Sequence, residues 1–350
     1  MKPISISNRL ISTEVPPFII AEMSGNHNKS LDRAIRIVEE AAKAGVDAIK
    51  LQTYTPDTMT LDLDRGDFFI NEENSLWKGQ SLYQLYNEAY TPWEWHEAIF
   101  KRCAELGLIV FSSPFDHSAV DFLEKLNAPA YKIASFENTD LPLIRKVAAL
   151  GKPLIISTGM ASVADLDETV KTVKEQQNEQ LILLKCTSTY PASPEHTNLA
   201  TIPHMRDLFG CEVGLSDHTQ GIGAAVASIV FGATVIEKHF TLSRADGGVD
   251  SAFSLEPEEM KQLVQESKRA WKALGGIRYG ASETEKDSMK FRRSIYTSEE
   301  VKAGEQLSSS NVRIIRPGYG LAPKYYDFLI GKRVNRDIPK GTPLNWDFIS

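Results

Sequence analysis

Two histidines of the chain, His218 and His239, lie at corresponding places in neighbouring segments. His218 follows a short apolar run at residues 212–215, and His239 follows another at residues 234–236. A Gly- and Ala-rich segment of helical length separates the two runs, and this pattern predicts a strand–helix–strand unit with parallel strands. Because ligands bind at the carboxyl ends of such strands, the pair is a candidate metal site. Either histidine alone would more simply be a hydrogen-bonded polar residue at a strand end.

Other side chains suited to anion binding or acid–base chemistry also follow apolar runs. They are Glu22, Lys50, Gln52, Ser113, Lys132, Ser135, Ser157, Ser188, Ser216 and Glu237. Two lysines and several hydroxyls suit a small, highly charged anion such as a phosphate ester that carries a carboxylate. Two histidines without a cysteine nearby suit Mn²⁺, Fe²⁺ or Zn²⁺, and a metal with open coordination positions can polarise a carbonyl. With Glu22 as candidate general base, these groups predict the addition of an enol phosphate to an aldehyde.

The elements that must position these side chains are apolar runs of strand length that alternate with segments of helical length. The predicted strands cover residues 18–21, 46–51, 108–111, 130–134, 154–156, 181–184, 212–215 and 234–236. Their near-continuous apolar character is typical of strands buried on both faces, and the alternation predicts a (β/α)8 barrel. A doubly wound open sheet is the alternative, although no GxGxxG follows the first strand. Asp116 and Ser162 are predicted helix N-caps, and residues 91–94 are predicted to form a capping box.

Two segments depart from this alternation. The connection at residues 53–90 is longer than ordinary loops, and its spaced aromatic residues favour an ordered segment. A sugar-binding lid over the barrel mouth and a structural flap or oligomer contact are equally good interpretations. We expect the barrel to cover residues 1–275, a linker residues 276–288, and a small, mostly β domain residues 289–350. Arg316, in the most distinctive turn of that domain, is either a solvated loop residue or a cap for a neighbouring anionic site.

The composition restricts the partners of the protein. It has 39 Lys and Arg against 46 Asp and Glu, a formal net charge of −7, which gives no reason to expect nucleic acid or an anionic membrane as partner. Its three cysteines, Cys103, Cys186 and Cys211, show no metal-type spacing and are predicted to be reduced thiols of a cytoplasmic protein. We expect neither a signal peptide nor a membrane span.

Several motifs resemble those of the sialic acid synthase family and follow one another in the family's order. They are AE at 21–22, NHN at 26–28, IKLQ at 49–52, YKIAS at 131–135, STGM at 157–160, CTSTYP at 186–191, GLSDHT at 214–219 and EKHFT at 237–241. The RPGYG turn at 316–320 resembles a turn of the family's antifreeze-like (SAF) domain. Residues 21–28, 50–57 and 90–96 are most similar to the pseudaminic acid synthase branch.

The resemblance implies a fold, a reaction and a cofactor. The fold would be a barrel followed by a SAF domain, and the chain a homodimer in which each SAF domain caps the partner's active site. The reaction would be a metal-dependent condensation of phosphoenolpyruvate with an N-acetylated amino sugar. For this branch the sugar is 2,4-diacetamido-2,4,6-trideoxy-L-altrose, and C–O cleavage would release phosphate and form a nonulosonic acid. The metal would be Mn²⁺, with Mg²⁺ or Co²⁺ as alternatives.

The resemblance also implies roles for individual residues. His218 and His239 would hold the metal, and Glu22 would handle the water that attacks the substrate. The phosphoenolpyruvate-binding residues would be Lys50, Ser113, Lys132, Ser135, Ser157, Ser188 and Ser216. The sugar-binding residues would be Gln52, Tyr190, Asp250 and, from the partner subunit, Arg316, with Asp246 as the alternative to Asp250.

Other functions remain open at this point. An N-acetylneuraminate or legionaminate synthase is the alternative within the family. Outside it, a metal-dependent aldolase that acts on pyruvate would use no phosphate ester, and a non-catalytic sugar-binding protein would need neither metal nor base.

Overall fold

The computed structural model of the protein describes residues 3–71, 73 and 77–350, and the chain divides into two compact units, Met1–Gly275 and Gly276–Ser350. The first unit begins with a hairpin of two antiparallel strands, β1 (Ile4–Ile6) and β2 (Arg9–Ile11). The isoleucines of the hairpin are buried in one cluster with residues from the starts of the following strands, such as Phe18. The hairpin therefore closes the amino-terminal end of the sheet that follows.

That sheet is a closed barrel of eight parallel strands in sequence order. The strands are β3 (Phe18–Glu22), β4 (Ala48–Thr53), β5 (Ile109–Pro114), β6 (Tyr131–Ile133), β7 (Leu154–Ser157), β8 (Leu181–Cys186), β9 (Glu212–Asp217) and β10 (Val235–His239). The last strand pairs with the first, so that His239 is the register partner of Glu22. The predicted (β/α)8 barrel is confirmed, and the open doubly wound sheet is wrong because the sheet has no open edge between β10 and β3.

Helices follow the strands and cover the barrel. They are α1 (Leu31–Ala44), α2 (Pro56–Met59), α3 (Leu82–Ala89), α4 (His96–Glu105), α5 (His117–Lys125), α6 (Leu141–Ala148), α7 (Val163–Glu175), α8 (Thr201–Phe209), α9 (Gly223–Ser228) and α10 (Pro257–Leu274). Their apolar faces pack on the outward side chains of the strands in two large clusters. No helix in the described part of the chain combines the length and apolar composition that crossing a membrane requires.

Two of the three predicted helix N-caps are confirmed. The side chain of Asp116 accepts hydrogen bonds from the backbone of α5, and Ser162 forms a capping box with Asp165 at α7. The capping box predicted at residues 91–94 is wrong, because α4 begins only at His96 and no side chain caps it. Thr91 Oγ1 instead lies 3.2 Å from His27 Nε2. Thr91 thus contacts a residue distant in sequence and does not cap the following helix.

The long connection between β4 and α4 contains secondary structure of its own. Phe69 and Ser81 form an antiparallel bridge, and the side chain of Ser81 caps α3 together with Gln84. Residues 72 and 74–76 of the predicted insertion lie outside the described residues. The described part of the insertion therefore contains two helices, α2 and α3, and a bridge between Phe69 and Ser81.

The second unit contains two antiparallel strands, β11 (Ser294–Thr297) and β12 (Val312–Ile315), and the short helix α11 (Tyr326–Leu329). Its small core consists of aliphatic side chains, among them Ile295 and Val312. The predicted linker at 276–288 belongs to this unit, and its end is part of a 3₁₀ helix at Glu283–Phe291. Each side of this division has its own hydrophobic core.

Candidate active site

A cavity of about 520 Å³ opens at the carboxyl ends of the barrel strands. Five of the residues singled out in the sequence line it, namely Gln52, Ser188, Tyr190, His239 and Asp250. The other predicted residues of the barrel lie on the same strand ends, since the closed parallel sheet brings all its carboxyl ends to one rim. Arg316 is an exposed residue of the second unit, and its place at a partner's active site stays a prediction.

Four charged side chains, one from each of four strands, form a buried cluster at this rim. Lys50 Nζ lies 2.7 Å from Glu22 Oε2 and 3.7 Å from Glu237 Oε1. Lys132 Nζ lies 3.5 Å from the same oxygen of Glu237. All four side chains are at most 4% exposed, so their charges act on one another in a medium of low dielectric constant.

The cluster carries an excess of positive charge at neutral pH. Burial raises the pKa of Glu22 to about 7, although Lys50 opposes this shift. Burial also acts to raise the pKa of Glu237, but the two lysines outweigh it and hold that pKa below its ordinary value. Two lysines therefore face one full carboxylate charge and one partial charge. This arrangement attracts an anion that can take the place of the missing negative charge.

Hydroxyl groups surround the charged cluster. Ser113 Oγ accepts a hydrogen bond from Lys50 Nζ at 3.3 Å, and Ser216 Oγ donates one to Glu237 Oε1 at 3.3 Å. Ser157 Oγ is buried and has no hydrogen-bond partner among the described residues. A buried hydroxyl without a partner costs free energy, and a bound ligand would remove that cost.

A glycine allows two further hydroxyls to converge. Gly159 N donates a hydrogen bond to Ser135 Oγ at 3.1 Å. A Cβ at Gly159 would overlap Ser188 Oγ and would come within 2.7 Å of Ser135 Oγ. Only a residue without a side chain fits here, and it leaves a backbone amide and two hydroxyls around one small space. Such groups are typical of an anion cradle.

The two histidines of the candidate metal site are neighbours. Their ring centroids are 5.3 Å apart. His218 Nδ1 lies 3.0 Å from the carbonyl oxygen of Thr187, to which it donates, so in the neutral ring the lone pair is on Nε2. Burial acts to lower the pKa of His218, but its contacts with Cys186 and Thr187 outweigh burial and raise that pKa. His239 Nδ1 is buried without a hydrogen-bond partner in the described part of the chain, 3.7 Å from Asp250 Oδ2. Burial holds the pKa of His239 well below its ordinary value, which keeps the ring neutral and able to bind a metal.

This donor set fits an incomplete metal site. Within residues 3–71, 73 and 77–350, no group of three or more His, Cys, Asp or Glu is arranged to hold a metal. Two imidazoles with open positions left for substrate and water suit a catalytic divalent metal. The expectation of no nearby cysteine is wrong, because Cys186 Sγ lies 3.9 Å from His218 Nδ1. Cys186 ends β8, and the carbonyl oxygen of the next residue, Thr187, accepts the hydrogen bond from His218.

The geometry distinguishes the two candidate aspartates. Asp250 lines the cavity, and its Oδ2 accepts a hydrogen bond from Ser24 Oγ. Asp246 instead forms an ion pair with Arg33, whose Nη1 lies 2.7 Å from Asp246 Oδ2. Tyr190 stands on the same side, with its ring centroid 4.5 Å from that of His218. Asp250 is therefore the aspartate that faces a bound ligand.

Glu137 is a residue of the cavity that the sequence analysis missed. It lines the cavity, and its Oε2 is buried without a hydrogen-bond partner among the described residues. Burial raises the pKa of its carboxyl to about 7. A signal was present in the sequence, since this carboxylate stands two residues after Ser135 at the end of β6. Ser24, which holds Asp250, was also missed although it belongs to a quoted motif.

Comparison with known proteins agrees with this geometry. Residues 37–279 match the model of the NeuB family, and residues 292–350 match the model of the SAF domain. The chain is 44% identical over 333 residues to the pseudaminic acid synthase of Campylobacter jejuni, which covers 95% of this chain and 96% of that protein. It is 35% identical over 338 residues to the N,N'-diacetyllegionaminic acid synthase of Legionella pneumophila, covering 95% and 94%.

A solved structure has the same architecture over most of the chain. It is an N-acetylneuraminic acid (sialic acid) synthetase from Leptospira borgpetersenii in complex with citrate. The two structures superpose with a TM-score of 0.73 at 30% identity, and the match covers 83% of this chain and 96% of that one.

Proposed function

The chain belongs to the NeuB family, and on this premise we propose that it condenses phosphoenolpyruvate with 2,4-diacetamido-2,4,6-trideoxy-L-altrose, as a pseudaminic acid synthase does. The reaction joins carbon 3 of phosphoenolpyruvate to the aldehyde carbon of the open-chain sugar and releases phosphate. The family resemblance and the SAF domain expected from the motifs are confirmed. The single observation that carries the proposal is the buried cluster of Glu22, Lys50, Lys132 and Glu237, beside two histidines on one rim.

The cluster and the hydroxyls form the proposed site for phosphoenolpyruvate. Lys50 and Lys132 would neutralise its carboxylate and phosphate, since both lysines are buried at the rim and share the carboxylate of Glu237 as counter-ion. The hydroxyls that would complete the site are those of Ser113, Ser135, Ser157, Ser188 and Ser216. Tight binding of one anion would place its carbon 3 at a fixed distance from the sugar.

Glu22 is the proposed general base. When carbon 3 attacks the aldehyde, carbon 2 becomes electron-poor, and a water molecule adds to it. Glu22 would accept the proton of this water, and the C–O bond to phosphate then breaks. Burial raises the pKa of Glu22 to about 7, so the carboxylate and the acid are both populated at neutral pH. A group in this state can take up a proton and return it within one turnover.

A divalent metal is the proposed cofactor, with Mn²⁺ preferred to Mg²⁺ or Co²⁺. His218 and His239 would hold it, and Asp250 lies 3.7 Å from His239 Nδ1 on the same side. The metal would supply Lewis acidity to the aldehyde oxygen of the sugar. The support is His239 Nδ1, which is buried without a hydrogen-bond partner among the described residues, and the ring of His218, whose centroid lies 5.3 Å from that of His239.

The sugar site would be formed by Gln52, Tyr190 and Asp250, to which we add Glu137. Its unpartnered carboxyl oxygen can accept a hydrogen bond from an amide or hydroxyl of the sugar. We also propose a cytoplasmic homodimer in which Arg316 of the SAF domain reaches the partner's active site. The support is the thin core of the second unit, which needs a further surface to pack against.

Phosphate release from phosphoenolpyruvate in the presence of Mn²⁺ tests the proposal. We expect release with the trideoxy diacetamido altrose and little with N-acetylmannosamine. Release with N-acetylmannosamine or with the legionaminate precursor instead would assign the protein to those branches of the family. Absence of release with all three sugars, after a chelator and then Mn²⁺ have been added, would overturn the proposed function.

A further inference from the structure

The helix of the insertion places an apolar stripe on the wall of the active-site cavity. Leu82, Leu85, Tyr86 and Ala89 of α3 all line the cavity. Their spacing of three and four residues puts them on one face of the helix. The residues of the opposite face, such as Asn87 and Glu88, are exposed. An apolar helix face normally packs on a protein core, but this one borders the space in which a ligand binds.

Contacts at both ends hold this helix in place. Ser81 and Gln84 form a capping box at its beginning. At its end, the backbone of Ala89 packs so closely on Gly25 that a Cβ at Gly25 would come within 3.2 Å of it. Gly25 belongs to the turn that follows β3, so the helix is attached to the barrel at the active site itself.

Aromatic rings continue the apolar wall from the helix to the barrel. The ring centroid of Tyr54 lies 5.8 Å from that of Tyr86 and 5.2 Å from that of Phe115. All three residues line the cavity. Gln52, Glu137 and Asp250 bring hydrogen-bonding groups to the same cavity. The cavity thus combines hydrogen-bonding groups with an apolar wall formed by α3 and these rings.

This division restricts what the cavity can bind. A hydroxyl against the apolar wall would lose its water without gaining a partner, which is unfavourable. A methyl group at the same place would bury apolar surface and gain free energy. A suitable ligand therefore carries its hydroxyl and amide groups along one edge and a methyl or other unhydroxylated carbon along the other.

We propose that the apolar stripe of α3 binds the unhydroxylated terminal carbon of the sugar and so selects 6-deoxy sugars. The inference rests on the proposed function, because it concerns the sugar of the same reaction. It gives the insertion a role in specificity rather than in the chemical steps. The residues that act are Leu82 and Leu85, which contribute aliphatic surface without a hydrogen-bonding group.

The test uses two sugars that differ only at carbon 6, which is a methyl group in one and a hydroxymethyl group in the other. We expect the natural protein to prefer the methyl sugar by roughly 10- to 100-fold in kcat/KM, the range in which an apolar pocket discriminates against an added hydroxyl. Leu85→Asn should reduce this preference roughly tenfold. Leu82→Asn, at the first helical position where a polar residue is tolerated, should act in the same direction if the first variant does not fold. Leu61→Asn is the matched control, because Leu61 is 61% exposed and does not line the cavity.

The outcomes separate the inference from the proposed function. Equal losses of kcat/KM for both sugars, with the preference unchanged, would overturn the specificity role and leave α3 a structural helix. An unchanged KM for phosphoenolpyruvate with a reduced preference supports the inference, since only the sugar side is altered. If the natural protein uses neither sugar, the proposed function itself fails.

Discussion

Two buried ionic groups lie next to each other on β10 and face opposite sides of the barrel wall. Glu237 points into the barrel and meets Lys50 and Lys132. Lys238, the next residue, points outward, where its Nζ lies 2.8 Å from Asp217 Oδ2. The outer pair has side chains that are 0% exposed, so both groups are equally removed from water.

The two groups differ in how completely their bonds are made. Lys238 also donates to the carbonyl oxygen of Thr219, and Asp217 Oδ1 accepts from Thr219 N at 2.9 Å. In the inner group, Glu22 Oε1 and Glu237 Oε2 have no hydrogen-bond partner among the described residues. The outer pair is therefore satisfied by the protein alone, whereas the inner group keeps bonding capacity for ligands.

Each residue of the outer pair stands directly before one of the two histidines. Asp217 precedes His218, and Lys238 precedes His239, and the two charged residues are register partners across β9 and β10. The pair fixes the strand exits from which both imidazoles project. The fully bonded outer pair thus supports the position of the two histidines.

The largest effect is expected when the inner group loses its base. Glu22→Gln should lower turnover roughly 10²–10⁴-fold, because the amide cannot accept the proton of the attacking water. The urea-unfolding midpoint should fall only modestly, since Lys50 keeps Glu237 as a partner at 3.7 Å. Steady-state phosphate release measures the first quantity. The control is Glu88→Gln, an exposed carboxylate of α3, and near-normal turnover of Glu22→Gln would remove the proposed role.

The second effect is on the free energy of unfolding. Lys238→Met leaves the Asp217 carboxylate buried without its cation and should cost about 3–5 kcal/mol. Lys238→Met combined with Asp217→Leu removes both charges and should recover part of this loss. Urea unfolding of the full chain measures both variants. A loss below about 1 kcal/mol for the single variant would mean that water reaches the carboxylate.

The sequence predicted most of the barrel strands and the residues of the inner ionic group. It did not predict the outer pair of Lys238 and Asp217. Apolar runs determine strands, and closed parallel strands put Glu22, Lys50 and Lys132 on one rim whatever the loops do. The burial of Lys238 is not visible locally, because a lysine beside a strand end is normally solvated. The choice between Asp246 and Asp250 depended on Arg33, which is distant in sequence. The capping box at residues 91–94 did not form, since Thr91 contacts His27 across the fold and a 3₁₀ helix at Trp93–Trp95 precedes α4.

A third effect depends on pH and concerns Glu137 on the cavity wall. Burial raises the pKa of its carboxyl from 4.5 to about 7, so the folded protein holds this proton where the unfolded chain has lost it. Glu137 therefore costs stability progressively as the pH rises from 4.5 to 7. Glu137→Gln should raise the free energy of unfolding by about 3 kcal/mol more at pH 8 than at pH 4. Urea unfolding at both pH values measures it, and a gain that is independent of pH would contradict the prediction.

The smallest effect is expected at the other end of the barrel. Arg9 Nε lies 2.9 Å from Asp47 Oδ1, with side chains that are 25% and 23% exposed. Asp47 Oδ2 also accepts from Ile19 N at 2.8 Å, so Arg9→Met leaves the carboxylate with one bond and with access to water. The loss of unfolding free energy should be about 1 kcal/mol, as for half-exposed pairs in general. Lys238→Met and Arg9→Met thus remove the same charge from ion pairs of similar length. Equal losses in the two variants would show that burial is not what makes the outer pair of β10 stabilising.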